Sequence, residues 1–404
     1  MFPVPAEADR LLVVMSDVEM GGGGETDDLP STEALGRLLL QYNEPAYAGV
    51  AVHLVFNGDT FDFLKTSLDG DYPRHIDAAR ALAKVSRVAA AHADFFEAVT
   101  AFASRPDREV SFIVGNHDAE LVFPEVQREI RRLCGGSSRV TFPGFSLDIG
   151  QVHVEHGSQA DRMFRMDPDE PLLDTDEGRI LNLPWGSVAL LEVAIPLHPV
   201  LHLLDRVRPR RKLFELMPEA KELLLGRYWR YWTRDYLKGL FRRSDPLHHL
   251  TWNMVKEIVY RFVSVDTDVS ISGHYRRKVM SSQTQRLSII GHRHEAEWWS
   301  YGDRKLLQTG CFRDEFMLDD EGRIARAIPK SYAEAYLQGD SLLCSHLVEP
   351  VWRAPMHAVP QSVLSVRPAI HRLLGTARER DELTRAREAH EAEHDPGTGP
   401  ATES

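Results

Sequence analysis

Phe56-Asn57-Gly58-Asp59-Thr60-Phe61-Asp62 closes an apolar run that begins at Ala51 and is broken only by His53. Such a run reads as a buried strand, and its abrupt Asn-Gly-Asp ending reads as the carboxyl tip at which an open α/β sheet presents ligands. Three other stretches have the same form. Leu11-Leu12-Val13-Val14-Met15-Ser16 runs into Asp17-Val18-Glu19, Val110-Ser111-Phe112-Ile113-Val114 into Gly115-Asn116-His117-Asp118, and Leu287-Ser288-Ile289-Ile290 into Gly291-His292-Arg293-His294. Core packing alone gives no reason for Asp, Asn or His at the end of each strand. A metal site does.

Working outward, the 404-residue chain is long enough for one large domain or two ordinary ones. A net charge of −12 disfavours nucleic-acid binding by the whole surface. The three cysteines, Cys134, Cys311 and Cys344, are far apart and odd in number, which suits a reducing cytoplasm and gives no metal-binding spacing. Residues 1–9 have neither a basic start nor an apolar stretch of the signal-peptide kind. The most apolar segment, Val188 to Leu204, is interrupted by Glu192, Pro196, His198, Pro199 and His202, a poor membrane span.

Along the chain, Ser31 is expected to cap a helix running to about Tyr42, Ile76 to Ser104 one long helix or two, and Pro124 to Leu133 another. Short strands lead to His156-Gly157. From about 162 to 265 the signal is almost wholly helical, an insertion separating His156 from His292. Between Leu201 and Arg243 it carries twelve Lys or Arg against five Asp or Glu, so 12 − 5 gives +7, with Trp229, Trp232 and five other aromatics interleaved. That surface suits peripheral contact with anionic lipid or an amphiphilic substrate, or is simply a solvated cap. Gly21 to Gly24 offers backbone N–H groups to a phosphate or forms a plain surface loop, with Asp27 and Asp28 beside it. Ser272-Gly273-His274 imitates the last motif without its second histidine and is expected to be structural. His53 and His153 are expected to be structural, and His248-His249 a solvated pair. The expected division is a core over 1–161 and 266–350, the insertion over 162–265, and an extension over 351–404, disordered from about 390.

The ordered motifs Asp17-Val18-Glu19, Gly58-Asp59-Thr60-Phe61-Asp62, Gly115-Asn116-His117-Asp118, His156-Gly157 and Gly291-His292-Arg293-His294 resemble those of the calcineurin-like metallophosphoesterases. The resemblance covers roughly 10–160 and 285–320. It implies an α/β fold, a four-layer αββα sandwich of two mixed sheets flanked by helices. It also implies two divalent ions, Mn²⁺ favoured with Fe or Zn as alternatives, held by Asp17, Glu19, Asp59 and His294 on one side and Asp59, Asn116, His156 and His292 on the other. Glu19 stands where the family usually has His, and a carboxylate there favours harder ions. His117 would stabilise phosphate or protonate the leaving group, Asp118 would orient its ring, and Asp62 would stand behind the ligands. Gly291 would permit unusual backbone. The implied activity is hydrolysis of phosphate or pyrophosphate esters by a water activated between the ions. The substrate would be a phosphorylated small molecule or a lipid-linked one, since lipid-nucleotide hydrolases of this family carry a helical lid at the same place. The alternatives are a catalytically weakened interaction module and a nuclease of the same fold.

Overall fold

The computed structural model describes residues 3–30, 32–237, 245–247, 284–352 and 362–376, with the single positions 252, 256 and 281. Ser31, His248-His249, the imitation motif at Ser272-Gly273-His274 and the charged tail lie outside the described residues.

The chain begins β1 (Arg10–Met15), α1 (Glu33–Leu40), β2 (Ala51–Asn57), α2 (Ala78–Ala91), α3 (Ala93–Ala103), β3 (Arg108–Ile113), α4 (Pro124–Leu133), β4 (Val140–Gly144), β5 (Ser146–Ile149) and β6 (Val152–Glu155). The Ala-rich segment is thus two helices, broken at His92, with the Asp77 carboxylate capping the first by accepting from Arg80 N. Within 162–265 come β7 (Leu172–Thr175), β8 (Gly178–Leu181), α5 (Trp185–Val193), α6 (His198–Asp205), β9 (Val207–Arg208), α7 (Arg210–Leu216) and α8 (Pro218–Arg230). The β7–β8 hairpin departs from the helical expectation. Gly178, at φ +121°, supplies a backbone that the turn requires and that helical spacing does not reveal. The chain returns with β10 (Leu287–Ile290), β11 (Glu297–Tyr301), β12 (Arg304–Gln308), β13 (Phe316–Leu318), β14 (Ile324–Ala327), β15 (Tyr332–Gln338) and β16 (Ser341–Val348).

Two mixed sheets result. The larger has the order β16-β15-β1-β2-β3-β4, with β1 to β4 parallel, β15 antiparallel to β1 and β16 antiparallel to β15. The smaller has the order β11-β12-β10-β6-β5, with β6, β10 and β12 parallel. Alternation along β1 explains how they stack. Leu12 and Val14 face the smaller sheet and pack with Val152, Val154, Leu287 and Ile289. Leu11, Val13 and Met15 face the other way, into a core shared with Leu35, Val85, Phe95 and Val126 of α1 to α4. Each such fully buried aliphatic side chain contributes on the order of 1.5–3 kcal/mol. Sheets packed face to face and flanked by helices are the expected α/β sandwich.

The insertion is joined to this body. Val188 and Leu191 of α5 enter the main core, and the Trp185–Asp205 run, apolar enough by length and composition to cross a membrane, is mostly buried in the molecule over its most apolar 18 residues. Leu204, Val207, Leu213 and Leu223 pack with Phe316, Leu318, Val363 and Ile370. In addition, β9 pairs in parallel with β13, Phe316 opposite Val207.

Candidate metal centre

Parallel β1, β2 and β3 lie side by side, so their carboxyl tips converge by construction. The smaller sheet brings β6 and β10 to the same end, Gly291 N donating to His156 O at 2.9 Å. Among the described residues four groups of possible donors form there, two of them built wholly from the ligands expected from the sequence. Asp59, His156 and His292 offer ligand atoms within 4.8 Å of one another, and so do Asp17, Glu19 and His294. Asn116, the seventh residue singled out from the sequence, has its Oδ1 buried without a partner, while the next N–H, that of His117, donates to Asp59 Oδ1 at 2.7 Å.

The backbone is strained where the donors sit. Among the described residues, six that are not glycine adopt φ between +49° and +73°: Asp17, Glu19, Asp59, Asp69, His292 and His294. Five of these six belong to the two donor groups. Left-handed backbone costs most side chains on the order of 1 kcal/mol or more, so such positions persist where surrounding structure over-determines them, as functional sites do.

Glycines make room rather than bend. Gly291 is not left-handed, contrary to the expectation of an unusual backbone there. A Cβ at that position would stand 2.3 Å from Ser16 Oγ and 2.7 Å from Asp17 Oδ2. At Gly115 a Cβ would stand 2.1 Å from Asp59 Oδ1. Both glycines are needed for close approach.

The side chains are oriented from behind. His156 Nδ1 donates to Asn57 O at 2.9 Å, which turns its Nε2 to within 3.1 Å of Asp59 Oδ2. His294 Nδ1 lies 2.8 Å from Glu315 Oε1, and its Nε2 is 3.3 Å from both Asp17 Oδ1 and Glu19 Oε1. His292 Nε2 is 3.4 Å from Asp161 Oδ2. Asp17 Oδ2 accepts from Ser16 Oγ at 2.5 Å and from His292 N at 3.0 Å. Left over are Asn116 Oδ1, buried with no partner, and Asp17 Oδ1, Glu19 Oε1 and His156 Nε2, buried with no polar neighbour but the His294 and Asp59 contacts just given. Buried polar atoms are rarely left unpaired, and a convergent set of orphaned O and N donors fits divalent cations.

Electrostatics point the same way. Burial alone would lower the His156 and His294 imidazoles, but Asp59 and Asp17 lift His156 to about 9, while Glu315 and Asp17 lift His294 despite Arg313. Burial alone would raise Asp59, yet His156 and His117 hold it below the usual carboxylate range. Imidazoles held among carboxylates attract a cation, and a proton and a metal compete for that place.

His117 faces the donors from β3, and here one expectation is corrected. Asp118 does not orient its ring. The Asp118 carboxylate accepts from Gly115 N at 2.7 Å and Thr60 N at 2.8 Å, tying two strand tips together. The partner of His117 Nδ1 is Asp62 Oδ1 at 3.0 Å. The side chain that follows a histidine in sequence leaves the backbone in another direction, whereas Asp62 arrives from the neighbouring tip. Burial opposes charge on the His117 ring, but Asp62, Asp59 and Glu19 lift it to about 10.

The glycine loop is also accounted for. Gly21 N and Gly23 N donate to the Asp27 carboxylate at 3.3 and 2.7 Å, so these N–H groups serve the loop itself. Asp28 reaches the site, pairing with Lys65 and Arg313. Sequence reading missed Lys65, Arg313, Glu315, Asp161 and Asp205. The clearest overlooked signal is Arg313-Asp314-Glu315, a charged run just beyond the apolar end of β12. His53 and His153 are structural, as expected: His53 Nε2 lies 2.8 Å from Ser111 Oγ and His153 Nδ1 2.7 Å from Asp148 Oδ1.

No family model matches the chain, and no curated protein matches it. Among solved structures the chain is similar to a Staphylococcus aureus protein provisionally assigned as a 5′-nucleotidase and crystallised with α-ketoglutarate, at 11% identity and a TM-score of 0.33, over 90% of this chain and 58% of that one. It thus spans little more than half of that protein's length. It is also similar to a phosphopantetheinyl hydrolase from Mycobacterium tuberculosis, at 11% identity and a TM-score of 0.26, over 76% of this chain and 91% of that one. At those values the reading of function stands on the site's own side chains.

Proposed function

We propose that the chain is a dinuclear metal-dependent hydrolase of phosphate or pyrophosphate esters. The observation that carries the reading is the convergence of buried donors at five strand tips, with orphaned atoms at three of them, on backbone strained at five of the donor residues. Asp17, Glu19 and His294 would hold one divalent ion, Asn116, His156 and His292 the other, and Asp59 would be shared. The ions, when bound, supply an activated water and neutralise charge on the phosphoryl oxygens.

The remaining chemistry belongs to the chain. His117 has its Nδ1 held by Asp62, and against burial Asp62, Asp59 and Glu19 favour the charged form of its ring. A charged N–H there can bind a phosphoryl oxygen and pass a proton to a leaving alkoxide. The Asp118 carboxylate keeps the β2 and β3 tips in register. Mn²⁺ is the favoured ion, because carboxylates dominate the Asp17 group.

The basic, aromatic insertion supports a lipid-linked substrate less directly. Trp229 is 68% exposed, with Leu225 also exposed on α8. Part of the basic charge, however, is turned inward: Arg206 and Arg208 meet Asp314 and Glu315. A Mn²⁺-supplemented screen of mono-, di- and pyrophosphate esters, soluble and lipid-linked, tests the reading. Turnover of at least one class, abolished in Asp59→Asn, is expected; no bound divalent ion and no turnover would refute it.

A further inference from the structure

The two donor groups are supported differently. Behind the Asp59 group stand Asn57 O and Asp161, at the ends of β2 and just after β6. Behind the Asp17 group stands a cluster of charges reaching into the insertion. Glu19 Oε2 accepts from Lys65 Nζ at 3.0 Å and Arg313 Nη1 at 2.9 Å, so only Oε1 is left to face Asp17 and His294. Those two cations are shared with Asp205 at the end of α6, whose Oδ2 lies 3.1 Å from Lys65 Nζ and 2.9 Å from Arg313 Nη1. Glu315, which orients His294, is gripped by Arg208 of β9 at 2.7 Å and by Arg313 Nη2 at 2.6 Å. Phe316 N donates to Arg206 O at 2.8 Å, fixing residues 205–208 against β13.

The physical consequence is a division of charge. Glu19 is a strong ligand only as far as Lys65 and Arg313 do not neutralise it, and Asp205 draws both of them away. His294 is a strong ligand as far as Glu315 accepts a hydrogen bond from its Nδ1–H, fixing the ring and raising the basicity of Nε2, and Arg208 keeps Glu315 in place. Resting on the dinuclear reading above, we propose that the strap at residues 205–208 is a positioning element for one cation site, setting the affinity of the Asp17–Glu19–His294 group and leaving that of the Asp59–His156–His292 group unchanged.

Asp205→Asn tests this, since the amide keeps the shape and removes the charge at a position already 35% exposed. Stepwise Mn²⁺ binding is measured by titration calorimetry on the full chain, with Glu19→Gln identifying which step belongs to the Glu19 group. The expected result is a fall of roughly 10–100-fold in that same step, the scale of outer-shell substitutions at metal sites, with the other step unmoved. Arg208→Gln should weaken the same step, and Arg211→Gln, at an exposed arginine paired with Glu215, should change neither. The proposal is overturned if Asp205→Asn moves both steps equally, moves neither, or moves the step that Glu19→Gln leaves alone. Wild-type protein that binds no divalent ion would instead sink the dinuclear reading.

Discussion

Replacing Asp62 by Asn separates the two carboxylates that flank His117 in different ways. Lifting an imidazole from 6.5 to about 10 corresponds to about 5 kcal/mol in favour of the charged ring. Burial works against it; Asp62, Asp59 and Glu19 supply it. Divalent ions on Asp59 and Glu19 would neutralise those two, leaving Asp62, 3.0 Å from Nδ1, as the carboxylate that keeps His117 protonated in the working enzyme. A single charge at that distance shifts a neighbour by about 1–3 pH units. In Asp62→Asn the alkaline limb of the kcat–pH profile should therefore move down by about one unit or more, with kcat lower by roughly 10–100-fold. Asp118→Asn should leave that limb in place. Burial and Asp59 push Asp118 up to about 7, so the amide resembles a state the carboxyl already approaches. Its cost should be about 1–3 kcal/mol of stability, because the amide can accept from only one of Gly115 N and Thr60 N and leaves the other buried N–H unpaired. Initial rates from pH 6 to 10, with urea unfolding alongside, read both. A shifted limb in Asp118→Asn and an unshifted one in Asp62→Asn would refute the assignment.

Three further outcomes are expected. His117→Ala should lower kcat by roughly 10²–10⁴-fold with metal content unchanged, checked by elemental analysis of the same preparation. Gly115→Ala should lose bound metal while keeping a native circular-dichroism spectrum, because the new Cβ takes the place of Asp59 Oδ1, 2.1 Å away. Burial and Arg10 hold the His53 imidazole down at about 4 against 6.5, so its neutral form stabilises the fold fully above pH 6.5 and less as pH falls towards 4. The loss is up to about 3 kcal/mol, since Glu109, 3.5 Å away and 63% exposed, compensates little; urea midpoints of His53→Gln should depend less on pH between 6.5 and 4.5 than those of the wild type.

What the sequence determined by itself was everything that local pattern can carry. Apolar runs ending in Asp, Asn or His gave the parallel strands and their tips, because a strand buried on both faces must be apolar until it leaves the sheet. The resemblance of the motifs at those tips implied the donor residues, and parallel strands bring their carboxyl ends together. Only the tertiary structure decided what stands behind them. Asp62 rather than Asp118 holds His117, because the direction of a side chain depends on backbone angles that adjacency in sequence does not reveal. Glu19 is shared with Lys65 and Arg313, and Asp205 arrives from a helix 186 residues downstream of it. Charges that meet only after the chain has crossed between layers have no spacing to betray them, and the coupling of the insertion to one half of the site is of that kind.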